Sequence, residues 1–267
     1  MHSDDSRDVV PAASPHWVLL RGLVREAGHW DDFLPVFAQA VAPRAMHTVV
    51  APDLPGNGTR HAERSPATVP ALMESVRERL RQGGVPPPYR LLGLSLGAML
   101  CVDWARKHPH EVAGAVLVNT SLRPFSAFHE RLQPRAWPLL ARAMRPGQRD
   151  EDIERAVLAL TSRDDFDGAA RERIVAHWVE LRRRHPVSRA NALRQLLAAA
   201  RYRAPQTPPP APLLVVGTRG DRLVSPRCSV ALARNWGTDF VQHPDAGHDL
   251  PLDDPRWLAE VVQAWAA

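Results

Sequence analysis

Three residues far apart in the chain could together perform nucleophilic catalysis: Ser95, Asp221 and His248. Ser95 lies in Gly93-Leu94-Ser95-Leu96-Gly97, between a short apolar run at 89–92 and Ala98-Met99-Leu100-Cys101-Val102, which reads as a buried helix. A serine on such a strand-to-helix turn sits on a strained elbow, and small flanking residues let the two elements approach closely. The turn presents the hydroxyl at a helix N-terminus, where developing negative charge is favoured. The hydroxyl needs a base, and the base needs an orienting acid. Asp221 ends the loop Gly217-Thr218-Arg219-Gly220-Asp221 after the apolar run 213–216, and His248 lies in Pro244-Asp245-Ala246-Gly247-His248-Asp249 after Phe240-Val241. The order Ser, Asp, His, each beyond a strand, assigns Asp221 as the acid and His248 as the base. His243 is a rival base, and Asp103 and Asp249 are rival acids by proximity along the chain.

Other reactive side chains carry simpler readings. His108-Pro109-His110 ends a helix without the further ligands that a metal site needs, so no metal is assigned. Cys101, inside the elbow helix, reads as a small buried apolar residue. With Cys228 as the one other cysteine, the chain is neither a disulfide scaffold nor a cysteine-rich zinc module, although a single bridge stays open. Arg182-Arg183-Arg184 closes a helical stretch, where cations complement the helix dipole and face solvent.

Bringing the three residues together requires a scaffold that ends several strands at one edge. Apolar runs at 17–20, 48–50, 89–92, 115–118, 213–216 and 240–241 are apolar on consecutive residues, as parallel strands covered on both faces require. Between them lie helical stripes. Trp30, Phe33, Leu34, Phe37, Ala38 and Val41 form one, and Val69, Leu72, Met73, Val76 and Leu80 form another behind Thr68 as cap and Pro70 in the first turn. Asp254-Pro255 opens a last helix, with Leu258, Val261, Val262 and Trp265 on one face. The alternation predicts an α/β fold, a doubly wound, mostly parallel sheet. It breaks between 121 and 205, where three stripes follow without a strand: Ile153, Ala156, Val157 and Leu160; Ile174, Val175, Trp178 and Leu181; Leu193, Leu196, Leu197 and Ala200. We therefore expect a core of 15–120 and 206–267 with an inserted helical cap at 121–205, closed by the stiff proline-rich return at 205–212.

In these motifs the chain resembles a serine hydrolase of the α/β-hydrolase superfamily, in its capped, esterase-like branch. The resemblance runs from about His16 to the C-terminus, and is specific in the core and weak in the cap. It implies Ser95 as nucleophile, Asp221 as acid and His248 as base. It also implies that the first strand corresponds to the family's third, its usual leading hairpin being absent or reduced. Where family members commonly carry His-Gly, this chain has Arg21-Gly22-Leu23. An oxyanion hole needs backbone donors rather than an imidazole, so the Leu23 and Leu96 N–H groups are assigned to it, while Arg21 must find an acceptor or solvent. Asp53-Leu54-Pro55-Gly56-Asn57-Gly58 resembles a family turn in which Asp53 holds the loop by hydrogen bonds.

The expected reaction is acyl transfer to water, without cofactor or metal, on a carboxylic ester of small to medium size. Leu122, Phe125, Phe128, Trp137, Phe166 and Trp178 could line an apolar pocket, and of these Phe125, Phe128, Trp137 and Trp178 are assigned to substrate binding. The chain of 267 residues has a net charge of +5, and 33 of its 34 basic residues are arginine. Residues 121–205 hold 17 Arg against 10 Asp and Glu, an excess of +7 that leaves −2 for the remainder. A second reading follows: a thioesterase or esterase acting on an anionic acyl carrier. A reading from another class is a catalytically silent, ligand-binding hydrolase fold. The basic residues follow no nucleic-acid-binding motif, so no nucleic acid is expected. Residues 1–8 lack the apolar stretch of a signal peptide and no window is apolar enough for a membrane span, so a cytoplasmic location is expected. The sequence sets no oligomeric state.

Overall fold

The structure, a computed structural model, describes residues 15–41, 48–143, 145, 147–163 and 165–267. The reading of residues 1–8 falls outside them. Among the described residues six strands form one parallel sheet in the order β2-β1-β3-β4-β5-β6. They are β1 (His16–Leu20), β2 (Val49–Val50), β3 (Tyr89–Leu94), β4 (Val112–Val118), β5 (Leu213–Thr218) and β6 (Asp239–His243). All six expected runs are strands, and the doubly wound sheet is as the alternation predicted.

Why the strands read as continuous apolar runs is visible in their packing. Val18, Leu20, Leu91, Ala115, Leu117 and Val215 face one core, shared with α2 (Val69–Gln82) and α3 (Leu96–Lys107). Trp17, Leu19, Leu92, Val116, Leu214 and Val216 face the other, shared with α1 (Phe33–Val41) and the C-terminal helix Pro255–Trp265. In β1, β3, β4 and β5 both faces are largely buried, so no polar alternation is needed there, whereas the edge strands β2 and β6 are half-buried or partly exposed. Thr68 caps α2 by accepting from the Ala71 N–H, and Asp254 caps the C-terminal helix by accepting from the Trp257 N–H. The stripe expected to begin at Trp30 is divided. Residues Ala27–Trp30 form a 3-10 turn, and Asp31 at φ 46° interrupts it before α1. Trp30 nevertheless stacks on Phe33 in the same core, which is why the spacing looked continuous.

The chain reverses its direction of sheet growth between β1 and β3, so the loops leaving these neighbours diverge and open a crevice at the strand ends. Leu20 pairs with Gly93, which brings Arg21-Gly22-Leu23 and Ser95 out at one place. Among the described residues five α-helices lie between β4 and β5: α4 (Phe128–Arg131), α5 (Trp137–Ala143), α6 (Asp150–Thr161), α7 (Gly168–Arg184) and α8 (Arg189–Arg201). A parallel bridge between Arg123 and Arg203, with Ala204 N–H donating to the Arg123 carbonyl at 2.7 Å, pins the two ends of this segment together. After β5 come α9 (Arg227–Trp236), then α10 (Leu250–Asp253) and α11, the C-terminal helix.

Candidate active site

Ser95 stands between β3 and α3 with φ 57°, a left-handed conformation that costs a residue with a side chain about 1–3 kcal/mol. The tertiary structure imposes it. The Ser95 N–H donates to the Val118 carbonyl at 2.9 Å, and Thr120 Oγ1 donates to the Ser95 carbonyl at 2.9 Å. Both glycines of the motif are steric requirements: a Cβ on Gly93 would lie 2.5 Å from the Ala98 nitrogen, and one on Gly97 would collide with the Leu20 carbonyl. The two elements approach through these missing side chains, as the motif implied.

His248 Nδ1 lies 2.7 Å from Asp221 Oδ2, and both residues are buried. The other carboxylate oxygen accepts from the N–H groups of Leu223 and Val224, each at 2.8 Å, which fixes its plane. An imidazole that donates from Nδ1 to a carboxylate has its lone pair on Nε2. The histidine loop is fixed as well: Asn119 Nδ2 donates to the His248 carbonyl at 2.9 Å and Thr218 Oγ1 to the Gly247 carbonyl at 2.8 Å. Asn119 escaped the sequence reading, its only mark being an amide directly after an apolar strand. The rivals are engaged elsewhere. His243 Nδ1 accepts from the Asp245 and Ala246 N–H groups while its ring packs against Trp257, and Asp103 pairs with Arg106 and Lys107.

Asp249 is occupied by Arg21, whose Nη1 and Nη2 donate to its two oxygens at 3.0 and 2.7 Å. The acceptor that Arg21 required is therefore the residue after His248. The neighbouring Gly22 lies against Ser95, since a Cβ there would be 3.4 Å from Ser95 Cβ. Asp53 holds the next loop, accepting from Ala27 N–H at 2.8 Å and from the Thr59 N–H and hydroxyl at 2.9 Å each.

Ser95, His248, Gly22, Leu23 and Leu96 border one cavity of about 320 Å³. Its walls are aliphatic more than aromatic: Ile153, Val157 and Leu160 of α6, Leu139 and Leu140 of α5, and Leu193 and Leu196 of α8. Of the four aromatic residues expected to bind substrate, Phe128 lines the cavity. The other three are corrected. Phe125 packs edge-on against Trp236 and, partly buried, lies against the sheet core, and Trp137 is 45% exposed with its ring against Phe128. Trp178 is fully buried in a separate core of the insertion, with the Arg25 guanidinium over its ring at 4.3 Å.

The insertion is fastened to the core loops by buried charge. Glu154 bridges Arg25 at 2.8 Å and Arg182 at 3.1 Å, His185 meets Glu26 at 3.0 Å, and the Asp249 N–H donates to the Thr161 carbonyl at 2.7 Å. Burial together with Arg25 and Arg21 pushes the His29 imidazole well below its ordinary range, and burial raises the Glu26 carboxyl despite His185. Arg183 and Arg184 are exposed in the last turn of α7, as the solvated-face reading expects, and Arg182 is half-buried; the three also pair with Asp150, Glu151, Glu154 and Glu180. Cys101 and Cys228 are both free and buried. No helix among the described residues is long and apolar enough to cross a membrane.

Comparison with known proteins agrees with this architecture. The chain is 28% identical over 262 residues to a pimeloyl-[acyl-carrier protein] methyl ester esterase of Aromatoleum aromaticum, covering 93% of this chain and 97% of that protein. Among solved structures it is similar to the enol-lactonase of Burkholderia xenovorans LB400, with a TM-score of 0.73 and 20% identity, covering 95% of this chain and 92% of the other. A thermophilic esterase of Thermogutta terrifontis gives a TM-score of 0.70 at 22% identity, covering 95% and 89%. These two likenesses speak for the fold. The model of the alpha/beta hydrolase family matches residues 17–261, and with a doubly wound sheet and a serine on its strand-to-helix elbow, the chain belongs to that family.

Proposed function

We propose that the chain is a serine hydrolase that cleaves carboxylic esters of small to medium size through an acyl-enzyme intermediate. The observation that carries the reading is the 2.7 Å contact of His248 with Asp221, on a histidine that shares one cavity with Ser95. In this reading His248 Nε2 takes the Ser95 proton as Oγ attacks the ester carbonyl, and the Leu23 and Leu96 N–H groups stabilise the oxyanion. The imidazolium then protonates the leaving alcohol while Asp221 holds its orientation. Water attacks the acyl-enzyme by the reverse proton route, returning the carboxylic acid and free Ser95. Side chains and amides supply every step, so the reaction as written requires no metal or cofactor. Residues 121–205 act as a cap on the core of 15–120 and 206–267, their aliphatic residues and Phe128 enclosing the acyl chain.

Pre-steady-state hydrolysis of p-nitrophenyl esters of increasing acyl length tests the reading. A burst of nitrophenol stoichiometric with enzyme is expected where deacylation limits turnover, with steady hydrolysis of at least one short or medium ester. Absence of both burst and turnover across the series would favour a silent, ligand-binding fold.

A second reading, hydrolysis of an ester or thioester on an anionic acyl carrier, is favoured by where the charge lies. Residues 121–149 and 185–205 together hold 10 Arg and one Glu, whereas 150–184 hold 7 Arg and 9 Asp and Glu. The two basic stretches carry Phe128, Trp137 and Leu193, the large apolar residues of the insertion that are most exposed, and Phe128 and Leu193 also line the cavity. An apolar opening within a basic surface suits an acyl chain delivered by an acidic carrier. The relative from Aromatoleum aromaticum is named for an acyl-carrier-protein ester.

A further inference from the structure

We propose that Arg21 and Asp249 form a positioning pair that holds the oxyanion loop and the base loop in mutual register. The inference rests on the hydrolase reading above, and it assigns to Arg21 a role that the imidazole expected at its position could not fill in the same way.

Arg21 is the last residue before Gly22 and Leu23, whose backbone runs against Ser95; Asp249 directly follows His248. The pair thus joins, across 228 residues of sequence, the two loops whose relative position decides whether an oxyanion and a proton acceptor are offered to the same carbonyl. Its geometry suits that task. Two parallel N–H donors on two carboxylate oxygens, at 3.0 and 2.7 Å, fix orientation as well as distance, which a lysine point charge cannot do. The guanidinium is held from a further side by the Trp30 ring at 4.9 Å, and Trp30 is anchored in the sheet core. Asp249 is held through its own N–H by the Thr161 carbonyl of α6.

The burial argues for position over stability. The two side chains are 4% and 6% exposed, and desolvating an ion pair commonly offsets its attraction, so an apolar pair would serve stability equally well. Arg21 Nε is buried without a hydrogen-bond partner, a further cost that bulk packing would avoid. The return is catalytic geometry, where a misplacement of about 1 Å can cost on the order of 100-fold in rate.

Asp249→Asn, nearly isosteric, and Arg21→Lys, which keeps the charge but loses the fork, are the test variants. Each is measured in the full chain for Tm, for kcat and KM on the best small neutral ester, and for the low-field proton resonance of the His248–Asp221 hydrogen bond. The expected result is a kcat lower by about 10- to 100-fold with KM within about twofold, and a shifted or broadened resonance. The double variant should be no worse than the poorer single one, because the two residues act as a unit. Folded variants with wild-type kcat, losses that multiply in the double variant, or a parallel rise in KM alone would overturn the assignment. Failure of both single variants to fold would overturn it too, leaving a pair that serves only the fold. Wild-type chain that neither hydrolyses esters nor reacts with a serine-directed phosphonate would instead defeat the underlying hydrolase reading.

Discussion

At the scale of single residues, the proposed chemistry depends on which imidazole serves Ser95. His248→Ala should lower kcat by several orders of magnitude, whereas His243→Ala should keep most of it, since His243 spends Nδ1 on two backbone amides of its own turn. Steady-state kinetics on one ester distinguishes them, and the opposite ranking would move the base five residues upstream. The placement of Ser95, Asp221 and His248 beyond strand ends was legible because each follows an apolar run, and strand ends meet at one edge of a parallel sheet. The glycines at 93 and 97 were legible for the same local reason. Arg21–Asp249 was not, because nothing in either residue's neighbourhood names a partner at the other end of the chain. Asn119 was equally silent, acting through carbonyls of a loop 128 and 129 residues away.

Elements were legible to the extent that burial shaped their sequence. A stripe at i, i+3, i+4 reports that a helix face avoids water, but not what covers it. Ile153, Val157 and Leu160 of α6 and Leu193 and Leu196 of α8 therefore looked like core yet line the cavity, while Trp178, which looked like a pocket residue, is core. Leu196→Phe should consequently shorten the longest acyl chain accepted, with short esters little affected, as a chain-length series would report; an unchanged profile would remove α8 from the acyl site. A second element-level prediction concerns α10. Asp253 accepts from the Gly247 N–H at 2.6 Å and the Arg163 N–H at 3.1 Å, tying the His248 loop to the insertion. Burial pushes its carboxyl up from 3.8 to about 7, so the folded state holds that proton more tightly than the unfolded one. The resulting stabilisation is complete below the unfolded value and is lost as the pH rises through 7. The unfolding free energy of the wild type, taken relative to Asp253→Asn, should fall between pH 4 and pH 8. Urea titrations at several pH values measure it, and a difference independent of pH would refute the coupling.

At the scale of the whole molecule, the sequence located the charge excess in one segment but not its distribution within it. Arg182, Arg183 and Arg184, the obvious cluster, are consumed by carboxylates of the same insertion, because α6 and α7 lie side by side. The excess belongs instead to the stretches before α6 and after α7. If it recruits an anionic acyl carrier, turnover of a carrier-bound acyl group should fall steeply with salt while a small neutral ester is insensitive, because such attraction is screened over about 8 Å at physiological ionic strength. Glutamine at Arg135 and Arg201, both exposed, should raise KM for the carrier substrate alone. Equal salt response for both substrates would leave a solvated basic surface and a plain carboxylesterase.

The proposed function requires a single activated serine, Ser95, within this fold. Labelling the intact protein with a fluorophosphonate, followed by peptide mass spectrometry, tests it most directly. One adduct is expected, on Ser95, formed rapidly by the wild type, absent in folded Ser95→Ala and strongly slowed in His248→Ala. An adduct on another serine, or labelling that survives Ser95→Ala, would contradict it.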